Sequence, residues 1–509
     1  MIEPSQQTFA SYAKSYKTIP MSRTIVADTT TPIQLFHLFH DRAAFILESK
    51  DELSIWSNYS FIGLDATHVL VERHGKYHFE SVNGLKIYEG AHIQEVWDKS
   101  LEYYGLPPDL PDTPFPGGAV GYFSFESYHL NEKRLNDSTE DDQKVCLVFC
   151  EKILAFNHNK EQLTLIHYER FDGEVNKAYS RGAKKLEELI NTISRGKTTN
   201  TVIQSQLKTS EDVFNQVRSN ETKETFIEKV KKVKEYITAG DVFQCVLSQK
   251  FSIPVKSSGI NLYRVLRKVN PSPYLYYLRF GDEEIIGSSP ERLIKIDTNR
   301  ELEIHPIAGT RPRGKTRLED KELALELQND EKERAEHLML VDLARNDIGK
   351  VSEYGSVHVK DLMSLTYFSH VMHLFSKVYG QLRKGTQQFE ALFSAHPAGT
   401  VSGAPKVRAV EIIQELEEQE RGVYAGAIAY CGWNGAIDSC IAIRTIILKN
   451  GVASVQAGAG IVHDSIPEVE YEETKNKAKA LLYAIKLAEL QNEESEVNNN
   501  DKLFKELIK

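Results

Sequence analysis

Two predicted helices place carboxylates where a ligand can meet them. In 330–348, Glu336 and His337 precede the apolar turn Leu338-Met339-Leu340-Val341. In 467–489 the helix opens on Glu468, Glu470, Glu472 and Glu473 before Lys475, Lys477 and Lys479. Acids in a first turn suit the positive end of the helix dipole, and Ser465 with Glu468 has capping-box spacing, so Glu468 reads as structural. Glu470 and Glu473, three residues apart, share a helix face. Carboxylates from two separate helices are the donors a hard, water-retaining Mg2+ takes, above all when a substrate supplies a further oxygen.

Other segments offer groups for an anion. The run 399–406, GTVSGAPK, joins a small-residue loop to a helix expected at 405–418. Glycines admit close backbone approach, Pro405 suits a first helical turn, and the free amides there face any negative group that arrives. Ala404 stands where the nucleotide loop G-x-x-x-x-G-K-[ST] needs its second glycine, so the run predicts either a site for a smaller anion such as a carboxylate or a mere turn. Arg444, in the apolar strand 440–445, needs either a bidentate carboxylate ligand or an internal ion pair. Gly458-Ala459-Gly460 follows a strand at 452–456; with His463 at the third glycine position and no βαβ frame it is not a dinucleotide fingerprint, yet its turn amides are available to a carboxylate. His373 alternates with apolar neighbours, the pattern of a satisfied core histidine. Glu291 lies at a strand-to-turn exit after Gly287-Ser288-Ser289-Pro290, with Arg292 as its simplest partner.

The elements that position these groups are α+β in type. Residues 19–167 read as short strands broken by turns, for example 43–47, 67–71 and 152–156. A charged helix at 169–193 leads into a polar stretch with linker composition. The second part opens with a helix at 225–239, continues through strands at 241–251, 274–280 and 283–287, and carries helices at 320–348, broken near Asn329-Asp330, at 405–418 and at 467–489. Strands in runs with helices added, rather than strict alternation, predict a layered α+β fold. The division expected is 1–193, a β-rich part; 194–221, a linker; 222–490, the catalytic part; and 491–509, a polar, mobile tail.

Composition narrows the function. At 509 residues the chain is long for a single core. Its net charge of -10, without long single-sign blocks, disfavours nucleic acid as the main partner. No stretch reaches the length of a membrane span and no basic-then-apolar leader opens the chain, so the expected location is the cytoplasm. Cys146, Cys150, Cys245, Cys431 and Cys440 have no paired spacing and read as reduced structural thiols.

Seven words in order, GDVFQCVLSQ (240–249), NPSPYLYY (270–277), GSSPERL (287–293), HPIAGTRPRG (305–314), AEHLMLVDLARNDIG (335–349), PAGTVSGAPK (397–406) and QAGAGIVHDS (456–465), together resemble the chorismate-utilising enzymes, most closely the large aminase component of anthranilate synthases. The likeness spans about 9–488. It implies a body of two β-sheets with surrounding helices, a β-sandwich-like α+β fold.

The resemblance also implies roles. Glu336 and Glu470 match the Mg2+ carboxylates, with the metal reaching the ring carboxylate of chorismate. Glu291 matches the general acid that protonates the departing C4 hydroxyl, which requires a raised pKa. His373 matches the histidine of the second half-reaction, where the C2 proton leaves and pyruvate is eliminated. Arg444 and Tyr424 match the clamp on the enolpyruvyl carboxylate, helped by the amides of Gly458, Ala459 and Gly460. Gly309, Thr310 and Thr400 match donors to the ring carboxylate.

The implied reaction adds ammonia at C2 and ends in anthranilate, within tryptophan biosynthesis. Gln244 stands where isochorismate and salicylate synthases carry a lysine base for water, and Ala308 stands where the p-aminobenzoate branch carries a nucleophilic lysine; both favour anthranilate. None of the cysteines sits in the Gly-rich elbow of a glutamine amidotransferase, so ammonia is expected from a small-subunit partner, in a heterotetramer of two large and two small subunits. Leu47-Glu48-Ser49, and Asn270, Pro271, Ser272, Pro273 and Tyr274 facing it, match a tryptophan inhibitor site. Leu275 in place of methionine and Asn58 in place of arginine depart from that pattern. The alternatives are an aminodeoxychorismate synthase component and a non-catalytic tryptophan-sensing module.

Overall fold

A computed structural model of the chain describes residues 1–49, 58–130, 132, 135, 143–171, 173–196, 212–367 and 371–507, with 493–507 by backbone alone. Most of the linker 194–221 lies outside the described residues. Its end, 212–219, packs Val213 into the core and pairs Arg218–Ser219 with the strand Gln244–Pro254.

The expected α+β class holds. The described strands join into one hydrogen-bonded network in which the registered pairs are antiparallel, with helices packed on it. The network ties the first part of the chain to the second: Ala43–Glu48 pairs with Tyr274–Phe280, and Gly118–Phe123 pairs with Ala427–Gly432. Strand 145–157 has a nearly continuous apolar run where both faces are covered, while 59–73 is buried at 60–64 and 70–72 only. Among the described residues no helix is long and apolar enough to cross a membrane.

Local chemistry sets the element ends. The broken helix becomes Arg317–Asn329 and Glu331–Gly349, because Asp330 takes an extended conformation and its side chain accepts the amides of Lys332 and Glu333. Thr222 and Thr225 form a reciprocal cap on Lys223–Ala239.

Four expectations change. The strand Gln162–Arg170 claims the start of the helix predicted at 169, which runs Val175–Arg195 instead. The helix from Pro467 continues as backbone to Leu507, through the residues expected to form a tail. Gly458-Ala459-Gly460 is no turn: it lies inside the strand Val452–Ile461, opposite Ser248, Leu247 and Val246. Arg444 is not within a strand: Ile437–Ile441 and Thr445–Lys449 are separate, and Arg444 sits between them at φ 51 with its side chain exposed.

Candidate active site

Two strand breaks face each other and hold the central pair. Glu283–Ser289 pairs with Thr445–Lys449, and Arg292–Ile296 pairs with Ile437–Ile441. Glu291 occupies the first gap and Arg444 the second. The ladder holds the gaps together: Ser288 N–H donates to the Arg444 carbonyl at 3.1 Å, and Ile441 N–H donates to the Glu291 carbonyl at 3.0 Å. Arg444 has no carboxylate at bonding distance among the described residues. Its Nη1 reaches Asn270 Oδ1 at 3.4 Å, and with Asn270, Glu473 and Lys477 it lines an open cleft of about 580 Å³. An exposed guanidinium held in a left-handed backbone position, facing a cleft, favours the ligand reading over the internal ion pair.

Glu291 is not paired with Arg292, whose guanidinium binds Glu303 at 2.7 Å and Tyr274 Oη at 2.6 Å. Instead Thr400 Oγ1 donates to Glu291 Oε1 at 2.8 Å. Burial pushes the Glu291 carboxyl up to about 7, while the Thr400 hydroxyl and the Arg444 and Lys477 charges pull the other way. A carboxyl that keeps its proton near neutrality is equipped to donate it.

Thr400 comes from the single turn Gly399–Val401. The expected loop-to-helix anion junction is only partly present. Gly403–Ala404 forms a short strand against Gln244 and Cys245, and Pro405 caps the helix Lys406–Leu416 from outside it.

His373, in the strand Val371–Gln381, is half-buried and not a sealed core residue. Its Nδ1 lies 2.8 Å from the Gly309 carbonyl and 3.1 Å from Thr310 Oγ1. A carbonyl only accepts, so Nδ1 carries the proton and Nε2 the basic lone pair. Burial lowers the His373 pKa, the Gly309 carbonyl opposes that, and Arg444 adds to it. Gly309 adopts φ 65 within a bulged pairing of Ile307–Pro312 on Val371–Gln381, and a Cβ there would come 2.8 Å from Leu327 Cδ1. Ala308 is buried in the same pairing and offers no amine.

The strand carrying Gly458, Ala459 and Gly460 is covered by Thr445–Lys449 only as far as Val455. Antiparallel strands point alternate amides to opposite edges, so part of this stretch turns its N–H groups toward the uncovered edge. The glycines are needed for close approach: a Cβ on Gly460 would come 2.6 Å from Gln244 Nε2, and one on Gly458 would come 2.9 Å from both Tyr424 Oη and the Leu247 carbonyl. Gln244 and the buried Tyr424 are thereby fixed beside the strand.

Glu336 feels the charges of Glu473 and Lys477 on the other helix, and Glu470 feels that of Lys332. Glu470 is buried and its pKa is raised by that burial, with the Glu473 charge adding and Ser465 opposing. Glu336 keeps solvent access, yet partial desolvation and then the Glu333 and Glu473 charges raise its pKa as well. Glu333 and Lys477 were not singled out from the sequence. Glu333 lies three residues before Glu336 on one face and binds Arg311 at 3.2 Å. Lys477, one turn after Glu473, binds it at 2.7 Å and the Gly458 carbonyl at 3.0 Å, and its charge also reaches Glu291, Glu336 and Glu470. The i, i+3 and i, i+4 spacings were the available signal. The all-carboxylate donor set fits a hard cation such as Mg2+. Among the described residues no three such groups already converge, which suits an ion that takes one or two carboxylates and completes its shell with water and substrate.

The residues of the second predicted site come together only in part, without Pro271 and Ser272. Glu48 and Leu47 pair with Leu275 and Tyr276, and Leu47, Glu48, Ser49, Pro273 and Tyr274 line a cavity of about 70 Å³ that Arg292 and Asp438 also reach. Glu48 accepts from Tyr263 Oη at 2.6 Å and from Arg267 Nη2 at 2.9 Å. Asn270 is not part of that wall but lines the Arg444 cleft, so the segment from Asn270 to Tyr274 touches both sites.

These titrations predict a bell-shaped profile. A reaction that needs the Glu291 proton is expected to slow as pH rises through about 7 and Glu291 ionises. Its rate is expected to fall again at acid pH, below the ordinary histidine value, as His373 gains a proton. A rate still climbing beyond pH 9 would remove Glu291 as the acid.

The chain is similar to known proteins along most of its length. Residues 45–483 match the model of the chorismate binding enzyme family. The chain is 48% identical over 482 residues to anthranilate synthase component 1 of Bacillus subtilis (strain 168), covering 93% of each. The crystal structure of anthranilate synthase component I from Streptococcus pneumoniae TIGR4 superposes with a TM-score of 0.72 at 38% identity, covering 85% of this chain and 95% of that one. The menaquinone-specific isochorismate synthase from Escherichia coli shares the fold, with a TM-score of 0.66 at 18% identity over 94% of this chain and 99% of that one. The chain belongs to the chorismate binding enzyme family, among the anthranilate synthase component I proteins.

Proposed function

We propose that the chain converts chorismate and ammonia to anthranilate, pyruvate and water. The observation that carries the reading is Glu291, held by the Thr400 hydroxyl at 2.8 Å, with burial raising its pKa to about 7 and the Arg444 charge bearing on both it and His373. Glu291 gives its proton to the C4 hydroxyl, which leaves as water while ammonia adds at C2. Ammonia already carries its lone pair, so the amide of Gln244 suffices where a water nucleophile would need a base. Nε2 of His373 then takes the C2 proton, the enolpyruvyl group leaves as pyruvate, and the ring becomes aromatic. Arg444 and Tyr424, with the amides of 458–460, hold the enolpyruvyl carboxylate; Gly309, Thr310 and Thr400 face the ring carboxylate. Glu336 and Glu470, with Glu333 and Glu473 beside them, would hold Mg2+, which supplies positive charge for the ring carboxylate.

The ammonia is drawn from a glutamine amidotransferase small subunit, consistent with the component 1 name of the relatives. Tryptophan as a feedback inhibitor rests on the match of Leu47-Glu48-Ser49 and Pro273-Tyr274, whose cavity of about 70 Å³ must widen to take an indole. The p-aminobenzoate reading is disfavoured by Ala308.

Incubation with chorismate, Mg2+ and ammonium, followed by fluorescence and chromatography, tests the reading. Anthranilate is expected, and tryptophan is expected to suppress it. A para product, or none, would refute it.

A further inference from the structure

One buried guanidinium lies behind the site and has no part in the chemistry just described. Arg421 is sealed from solvent, its side chain 1% exposed, and donates to three partners. Nε and Nη2 bind the Glu417 carboxylate at 2.8 and 2.7 Å, Nη1 binds the Val401 carbonyl at 2.7 Å, and Nη2 also binds the Val246 carbonyl at 2.8 Å. Glu417 in turn accepts from Ser248 N–H at 2.8 Å and Ser248 Oγ at 2.9 Å. The backbone of Arg421 is held as well: Glu126 accepts the amides of Arg421 and Gly422 at 2.8 and 3.0 Å, and Phe125 N–H donates to the Gly422 carbonyl at 2.8 Å. The guanidinium stacks 4.5 Å over the Phe125 ring.

What these contacts join is informative. Val401 directly follows Thr400, which binds Glu291. Val246 and Ser248 lie on the strand that begins at Gln244 and backs Gly458 to Gly460. Gly422 and Arg421 begin the turn that ends in Tyr424, whose hydroxyl lies against Gly458. No other side chain among the described residues is seen to bond all three segments. An ammonium on a flexible stem could not reproduce this planar, forked set of bonds.

We propose that Arg421, braced by Glu417, is a positioning residue that sets Thr400, Tyr424 and the Gln244 strand in register for the substrate. The proposal rests on the chorismate reading above and adds the residue pair on which the alignment depends. Misplacing reacting groups by a fraction of an ångström is costly to rate even when every catalytic side chain is retained.

The test uses the full chain carrying Arg421→Lys or the near-isosteric Glu417→Gln. Folding is followed by circular dichroism and thermal melting, chorismate binding by calorimetry, and kcat, KM and their pH profiles with ammonium. Folded variants are expected to lose about 10- to 100-fold in kcat and to bind chorismate more weakly. The basic limb of the pH profile is expected to move upward, because a displaced Thr400 no longer favours ionised Glu291. Arg444 and Lys477 also bear on Glu291, and Arg292, His305 and Asp347 line the small cavity beside it; neither variant alters them. A purely structural role would lower the melting temperature and leave the limb in place. Wild-type binding, kcat and pH limb in either folded variant, or collapse of both variants, would overturn the proposal. If the unaltered chain binds chorismate but makes no aminobenzoate, the reaction reading fails and the binding data still judge Arg421. If it does not bind chorismate, both fall.

Discussion

Glu291→Gln is expected to lower turnover by about 10²- to 10⁴-fold, the usual range for loss of a positioned general acid, with the fold intact. Glutamine has the same shape and keeps an acceptor for the Thr400 hydroxyl, which now lies 2.8 Å from Oε1. What it removes is the proton. Without it the C4 oxygen would leave as hydroxide, a poor leaving group, while ammonia addition and His373 remain available. The basic limb of the pH profile near pH 7 should also vanish, since its titrating group has gone. Steady-state kinetics with a parallel thermal melt decides the matter. Turnover close to wild type in a folded Glu291→Gln protein would exclude Glu291 from the acid role.

The ease of reading varied with the range of the forces involved. Strands such as Tyr274–Phe280 and the helix break at Asp330 follow from local pattern and capping, and both were legible. Glu291 and His373 stood out chiefly through the motif resemblance, because side-chain type alone gave each an ordinary structural explanation, whereas Glu336 and Glu470 also stood out as carboxylates on two separate helices. Gly458 to Gly460 was misread as a turn. Glycine favours turns, but here it serves a flat strand against which Gln244 and Tyr424 pack closely, neighbours about 210 and 35 positions away in sequence. Arg444 was misread for a related reason: its left-handed backbone is imposed by the facing break at Glu291, a tertiary effect with no glycine to announce it. Arg421 and Glu417, four apart, pass for an ordinary surface ion pair until the sheet closes over them.

Removal of divalent metal with a chelator is expected to lower turnover by about 10²- to 10⁴-fold, as loss of several kcal/mol of charge stabilisation implies, and added Mg2+ to restore it. The carboxylates supply the argument. Burial comes first in raising the pKa of Glu470 and of Glu336, and Glu473 raises both further, so each is held against the charge of Glu473. Lys477 offsets only part of that charge, being shared with Glu473 and the Gly458 carbonyl. A divalent cation held there would relieve the remainder and would give a substrate carboxylate a positive neighbour. Protons compete for the same oxygens, so the Mg2+ concentration for half-maximal activity should rise as pH falls toward the raised carboxylate values. Glu336→Gln and Glu470→Gln should each raise it at constant pH by about 10- to 100-fold, at least the cost of disturbing a metal ligand's support. Glu468→Gln, at the exposed start of the same helix, should leave it unchanged. Equal rates in chelated and Mg2+-replete protein would sink the metal assignment, and an unchanged Mg2+ requirement in Glu336→Gln would remove that helix from it.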